Sequence, residues 1–440
     1  MKKVFFSLAI VALLMSGCYK DDIDDLKKEQ ERHAQLLQEY KSLLDALGAK
    51  KTITSVAPIS DGWKITFSDN TTVDLKHGKD GDDAPYIVEI NIVDNNVEFI
   101  FSEGDPIVVP MTDYSNGIFI VNEGSFPASG SVNFFRYSSG RVETGLYSAV
   151  NPGKDLGVTT QFAAIYNEKM YLISKQGALV VVDAKTMLET GRIDDFEELT
   201  GGGRAFCGVT AGLGLVSTAD GVYKLNLNPL SLGDKIDGIS GEVGEMLQYR
   251  QHIFIYSFEL QQIYAMNTST WTIDETFDDI AGGLTVSKDG MIWSANGNDL
   301  IKINPFMLDI EMIPMPTGVS VMVNGFGWAA SSLTASKQEN ALYFVNDNDF
   351  WDFTEVYKYV IGETNSLNSP LFTVPSGRMI YGTGINVHPQ NNQVVVTTID
   401  GWAGSNKNNL YFYDGTTGRL IRNVSYDGFW FPAMILFPEN

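Results

Sequence analysis

From residue 115 onward the apolar residues fall in short alternating runs that recur as a unit. The unit reads as an apolar strand, a turn, a second strand, a polar loop, an alternating third strand ending in Asp or Asn, and a fourth strand. Its clearest copy runs through 162–166, 170–173, 178–183 and 189–193. Second strands at 214–216, 252–255, 291–293, 342–345 and 394–396 are each followed by a third, at 221–226, 262–267, 299–304, 356–359 and 410–414. A further copy, 117–120 with 132–137, lacks a first strand, while the apolar run 431–437 stands alone at the far end of the chain. Pairing these two would leave no sheet edge open. Equivalent strands lie roughly 38 to 53 residues apart, a period suited to four-stranded blades. The pattern therefore predicts an all-β fold, a seven-bladed β-propeller over 115–440 closed by its C-terminal strand.

The preceding residues follow other periods. Ile23, Leu26, Gln30, His33, Leu37, Tyr40, Leu44 and Leu47 step by three and four, which predicts an N-terminal heptad helix ending at Gly48. Such a seam could serve self-association through residues 23–47, or the helix could lie on its own domain. Residues 52–112 read as a small β module: a hairpin over 52–76 with turn chemistry at Asp61-Gly62 and Asp69-Asn70, a Gly78-Lys79-Asp80-Gly81 hinge, and a second hairpin. Asp80, Asp82 and Asp83 lack the closing Glu of a calcium loop and read as a solvated turn.

Residues 1–17 carry Lys2-Lys3, an apolar run to Met15, then Ser16-Gly17 before Cys18. That order predicts a signal peptide, too short to span a bilayer as a helix. Leu14–Cys18 resembles a lipoprotein box, which implies lipidation of Cys18 and membrane contact through the lipid anchor alone. The tract Asp21-Asp22-Ile23-Asp24-Asp25 behind it resembles the export signal of Bacteroidota surface lipoproteins. The expected tether is thus 18–51, and the expected location is the outer membrane, facing the cell exterior. Helix, hairpin and hinge together resemble the small stalk module found before many Bacteroidota surface domains, where it acts as a spacer.

Composition narrows the function. Acidic residues exceed basic ones by 54 to 31, a formal charge of −23, which repels phosphate and excludes nucleic acid as a partner. Two cysteines build no disulfide framework and four histidines leave little for a metal centre, so neither cofactor nor metal is expected. Gly201-Gly202-Gly203-Arg204 lacks the following Lys-Ser/Thr of a phosphate loop. His252 and His388 have no obvious partner, and Cys207 sits in an apolar context that predicts burial.

Candidate ligand contacts come from aromatics outside strand periodicity. Phe126, Phe258, Phe350, Trp351 and Trp402 fall between second and third strands, and Phe206, Trp328 and Trp430 between blades, which in a propeller is one face. Exposed rings stack on sugars or planar ligands at small entropic cost. Arg204 and Arg378, in Gly-containing interblade loops, could receive carboxylate or phosphate, and Asn346 could bond hydroxyls or amides. No local motif singles out a catalytic carboxylate pair.

The runs 117–126, 131–135 and Val182-Asp183-Ala184-Lys185-Thr186 resemble surface propellers of gut Bacteroidota, a family that includes corrinoid-capturing lipoproteins serving TonB-dependent transporters. The resemblance implies a non-enzymatic surface protein. Its partners would be a small-molecule or glycan ligand (corrinoid, glycan, haem or siderophore) and an outer-membrane transporter. A propeller glycan hydrolase or lyase, or a protein-binding adhesion module, is the alternative.

Overall fold

The computed structural model describes residues 38, 41, 42, 53–60, 62–67, 71–76, 87–93, 96–101, 106–110, 113–323, 331–347 and 353–438. The expected leader, Cys18, most of the expected heptad seam, Asp80, Asp82 and Asp83, and Trp328, Phe350 and Trp351 lie outside these residues. Among the described residues no helix is long and apolar enough to cross a membrane. The chain divides into two compact units, 1–111 and 112–440.

The first unit carries two three-stranded antiparallel sheets. One is β1 (Ile53–Ile59), β2 (Gly62–Phe67) and β3 (Thr72–Lys76); the other is β4 (Ile87–Val93), β5 (Asn96–Phe101) and β6 (Ile107–Pro110). Ile53, Ile65, Phe67 and Leu75 of the first sheet meet Ile87, Ile90, Val97 and Phe99 of the second in one core. This is what alternation on one-sided sheets requires.

The second unit begins with β7 (Gly117–Asn122), β8 (Ser131–Arg136) and β9 (Arg141–Glu143). A short helix, α1 (Leu146–Val150), leads into five four-stranded sheets. The first is β10 (Val158–Tyr166), β11 (Lys169–Gln176), β12 (Leu179–Asp183) and β13 (Glu189–Ile193), followed by helix α2 (Phe196–Thr200). The second is β14 (Gly203–Thr210), β15 (Leu213–Thr218), β16 (Gly221–Leu227) and β17 (Leu230–Ser240). The third is β18 (Val243–Tyr249), β19 (His252–Ser257), β20 (Gln262–Asn267) and β21 (Ile273–Phe277). The fourth is β22 (Gly282–Val286), β23 (Ile292–Ala295), β24 (Asp299–Asn304) and β25 (Asp309–Pro314). The fifth is β26 (Thr334–Ala335), β27 (Ala341–Val345), β28 (Glu355–Val360) and β29 (Phe372–Thr373). The chain ends in β30 (Met379–Val387), β31 (Gln393–Asp400), β32 (Gly404–Asp414), β33 (Leu420–Ser425) and β34 (Pro432–Leu436).

The last strand supplies the partner missing at the start. β34 pairs antiparallel with β7, aligning Met434 with Val121 and Leu436 with Phe119, and touches β30 in parallel at Thr383. An eight-stranded sheet, β33-β32-β31-β30-β34-β7-β8-β9, results. First strands contact one another in order, β34 to β10, β14, β18, β22, β26, β30 and back to β34. The architecture is a propeller-like ring.

Burial explains the sequence pattern. The second strands β7, β19 and β27 are buried at every residue, because neighbouring sheets cover both faces. Outer strands β25 and β33 are mostly exposed. The Asp or Asn ending several third strands has a mechanism of its own. Asp183 Oδ1 accepts from the amides of Lys185 and Thr186, and Asp414 does the same for Thr416 and Thr417. Asn267 and Asn304 receive the equivalent amides at their own turns. Four repeats thus mark their third-to-fourth-strand turn with an Asx motif.

Candidate functional site

A cavity of about 780 Å³ opens where the closing strand meets the first two sheets. It is lined by the segments that bound β7, β10, β11, α2, β30, β31 and β34. Glu123 directly follows β7. Its amide donates to Phe431 O at 3.0 Å, Gly124 N donates to Trp430 O, and Phe431 N donates to Ser405 O. The segment entering β34 is thereby stitched to the end of β7, which sets Phe431 in the cavity wall.

Aromatic rings form that wall. Tyr381 of β30 packs against Phe431 with centroids 5.0 Å apart and meets Trp402 edge-on at 6.1 Å and 86°. Trp402 is 42% exposed and Phe126 is 75% exposed, so both present ring surface to the cavity. Two wall residues also hold backbone conformations unusual for side chains, Thr159 at φ 57 and Phe431 at φ 54. Such conformations persist where the surrounding structure over-determines them, and they gather at ligand sites.

The polar side comes from β11 and α2. Lys175 and Gln176 end β11, and Glu197 of α2 accepts from Gly177 N at 2.7 Å. Gly201, with φ 73, caps the C-terminal end of α2, and at Gly202 a Cβ would come within 1.9 Å of Lys175 O. The glycine run therefore serves a helix end and a close backbone approach, not a phosphate cradle.

Glu123 lies deeper. It is 7% exposed, and its Oε1 accepts from Gln161 Nε2 at 2.6 Å. Burial pushes its carboxyl up to about 7, against the hydrogen bonds of Gln161 and Tyr381 and the charge of Lys175, which pull it down. A carboxyl poised near neutrality can give or take a hydrogen bond within the cavity.

Of the residues expected at the ligand face, the cavity gathers Phe126 and Trp402, while Trp430 adjoins it through its ring contact with Phe431 at 6.0 Å. Others stand elsewhere. Phe206 is not in a loop: it lies in β14, buried and stacked on Tyr171 at 3.9 Å, so its ring is core. Arg204 is the second residue of the same strand, buried, donating from Nε to Glu242 at 2.8 Å and from Nη1 to Gly203 O. Its charge is already matched by that carboxylate. Phe258 packs half-buried against the core formed by Phe254, Tyr256 and Ile263. Asn346 is buried, accepting from Ser320 N and donating to Gly318 O, and so fixes a turn. Arg378 donates to Lys407 O at 2.9 Å.

His252, expected to lack a partner, lies 3.0 Å from Asp274 through Nε2. His388 Nδ1 accepts from Gln390 N. Cys207 is buried as expected, and burial pushes its thiol up to about 12. Among the described residues no group of three or more His, Cys, Asp or Glu is arranged to hold a metal ion.

Sequence reasoning missed Glu123, Thr159, Lys175, Gln176, Glu197, Tyr381 and Phe431. Phe431 carried a usable signal, since it opens the orphan strand that had to return to β7. The others sit at or near ordinary strand and helix ends, except Tyr381, which lies within β30.

Residues 116–438 match the family DUF5074, described as a domain of unknown function. No curated protein sequence matches this chain. Among solved structures, the chain is similar to a quinonprotein alcohol dehydrogenase-like protein from Bacteroides thetaiotaomicron. The identity is 19% and the TM-score 0.61, over 78% of this chain and 84% of that one. At this identity the likeness shows a shared propeller-like fold and nothing of function. Apo AztD from Citrobacter koseri also matches, at 11% identity and TM-score 0.44 over 73% of this chain and 97% of that one.

Proposed function

Since the chain belongs to the DUF5074 family, we propose from its cavity and its leader that it is a non-enzymatic, surface-exposed lipoprotein that captures a nutrient ligand. The carrying observation is the cavity of about 780 Å³ bounded by Phe126, Tyr381, Trp402 and Phe431, a size and lining suited to a small molecule. Dividing the eight-stranded sheet between β30 and β34 gives seven four-stranded sets, which supports a seven-bladed reading. Cys18 and the acidic tract 21–25 support lipidation and export to the outer face of the outer membrane. Handing the ligand to a TonB-dependent transporter is the step this location would serve. Corrinoid, glycan, haem and siderophore are the ligand classes to test, and the 23–47 seam offers self-association.

A second reading, a glycan hydrolase or lyase, is favoured by one observation. Glu123, with its carboxyl near 7, shares the cavity with Glu197, as a general acid and its partner would. Calorimetric titration with cyanocobalamin, haemin, a ferric siderophore and a neutral oligosaccharide mixture separates the readings. Capture without turnover supports the first, and oligosaccharide cleavage lost in Glu123→Gln supports the second. Replacing Phe126 and Trp402 together with Ala should weaken capture by about tenfold or more. Unchanged affinity in that folded double variant would reject the cavity as the site.

A further inference from the structure

We propose that the cavity selects an uncharged ligand rich in hydroxyl or amide N–H donors, that the Glu123 carboxyl receives one of those donors, and that capture releases the proton this carboxyl holds. The inference rests on the binding reading above and adds to it the ligand chemistry and a proton linkage.

Charge argues first. The ionisable side chains lining the cavity are Glu123, Glu197, Lys175 and Tyr381, so an anionic ligand would find the single ammonium already offset by Glu197, and would meet a second negative charge once Glu123 ionises. The chain as a whole carries −23, which repels anions at longer range. The aromatic wall offers faces to apolar ring surface, while Thr159, Gln176 and the two glutamates offer acceptors to donors on a ligand edge. A cation would find the rings and carboxyls favourable but would share the space with Lys175.

Geometry argues second. Glu123 is almost wholly buried yet contributes to the cavity lining. It is faced by Gln161 from β10, Tyr381 from β30 and Lys175 from β11. Its environment therefore supplies two neutral donors and one cation, while desolvation keeps the proton on until pH approaches about 7. A donor brought by the ligand stabilises the carboxylate over the acid. Bound Glu123 then ionises at lower pH than free Glu123, and the proton leaves to solvent while the ligand X–H group hydrogen-bonds the carboxylate oxygen. The one bond that breaks is the Glu123 O–H bond, whose electron pair stays on the carboxylate while solvent takes the proton. Because the free site is the one that holds the proton, affinity must rise as pH rises toward 7 and level off above it.

The test is calorimetric titration of cyanocobalamin (uncharged amides), a neutral oligosaccharide mixture (hydroxyls) and haemin (carboxylates). Each is run at pH 5.5 and pH 8 in two buffers of different ionisation heat. At least one uncharged probe should bind, about tenfold tighter at pH 8, with proton release on binding at the lower pH. Which of the two binds identifies amide or hydroxyl as the donor. The pH dependence should vanish in Glu123→Gln and persist, at weaker affinity, in Trp402→Ala. The proton count is measured on the unmodified protein, so it stands even if Glu123→Gln folds poorly. Tighter binding of haemin than of either uncharged probe, a pH-independent affinity, or pH dependence surviving in Glu123→Gln would overturn the proposal. If no probe binds at either pH, the capture reading falls with it. Binding without proton release removes the linkage and leaves capture standing.

Discussion

Two glutamates, both held by a tyrosine, illustrate how differently this ring treats a carboxyl. Glu189 on β13 receives the Tyr147 hydroxyl, Arg192 Nη2 at 3.0 Å and Lys154 Nζ at 2.7 Å. Burial pushes Glu189 up, but the bonds from Arg192, Lys154 and Tyr147 outweigh it and hold the carboxyl below its ordinary value. At Glu123 the hydrogen-bonding side chains are neutral, Gln161 and Tyr381, and burial wins. A tyrosine alone does not decide the matter; a directly bonded cation does. The first arrangement locks α1 and β13 together, and the second leaves a protonatable group in a cavity.

Removing the decisive cation breaks the comparison most severely. Arg192→Ala leaves Glu189 in place without its main counter-charge and should cost about 4 kcal/mol in denaturant unfolding, since the carboxylate has little access to water. A loss near zero would mean Lys154 suffices by itself.

The next effect is a pH dependence of opposite sign at the two sites. Glu123 has its folded value raised from 4.5 to about 7, so its contribution to stability is fully present below 4.5 and is lost as pH rises through 7. Relative to Glu123→Gln, the unmodified protein should therefore lose about 3 kcal/mol between pH 4.5 and pH 8. Glu189, with its value lowered, contributes above the ordinary carboxylate range and loses that contribution as pH falls below it. Stability profiles of the two glutamine variants that bend in the same direction would contradict the assignment of environments.

Lys154→Ala sharpens the comparison at its weakest member. The ammonium is half exposed, so the loss should stay below about 1 kcal/mol, readable as a small shift in the denaturation midpoint.

Much of the fold was legible because its determinants are local. Strand alternation, Asx turns at Asp183, Asn267, Asn304 and Asp414, and the unpaired run at 431–437 all sit within a few residues of what they specify. The site was legible only where a ring interrupts strand periodicity in a loop. That criterion picked out Phe126 and Trp402, which line the cavity, but it also picked Phe206, whose neighbours Arg204 and Cys207 continue β14 as a strand and turn its ring onto Tyr171. Asn346 and Arg204 looked available because their partners, Ser320 and Glu242, are distant in sequence.

The sequence by itself determined that this chain would form repeated four-stranded β units, which one strand from the carboxy terminus must complete. That follows because hydrogen-bonded strands and their turns are encoded over a handful of positions. Tertiary structure alone decided which carboxyl is raised toward neutrality and which rings line the cavity. Glu123, Lys175, Tyr381 and Phe431 come from separate stretches of the chain, and they become neighbours when β34 docks between β30 and β7. Desolvation and ring exposure are properties of that assembled neighbourhood, and no single segment carries them.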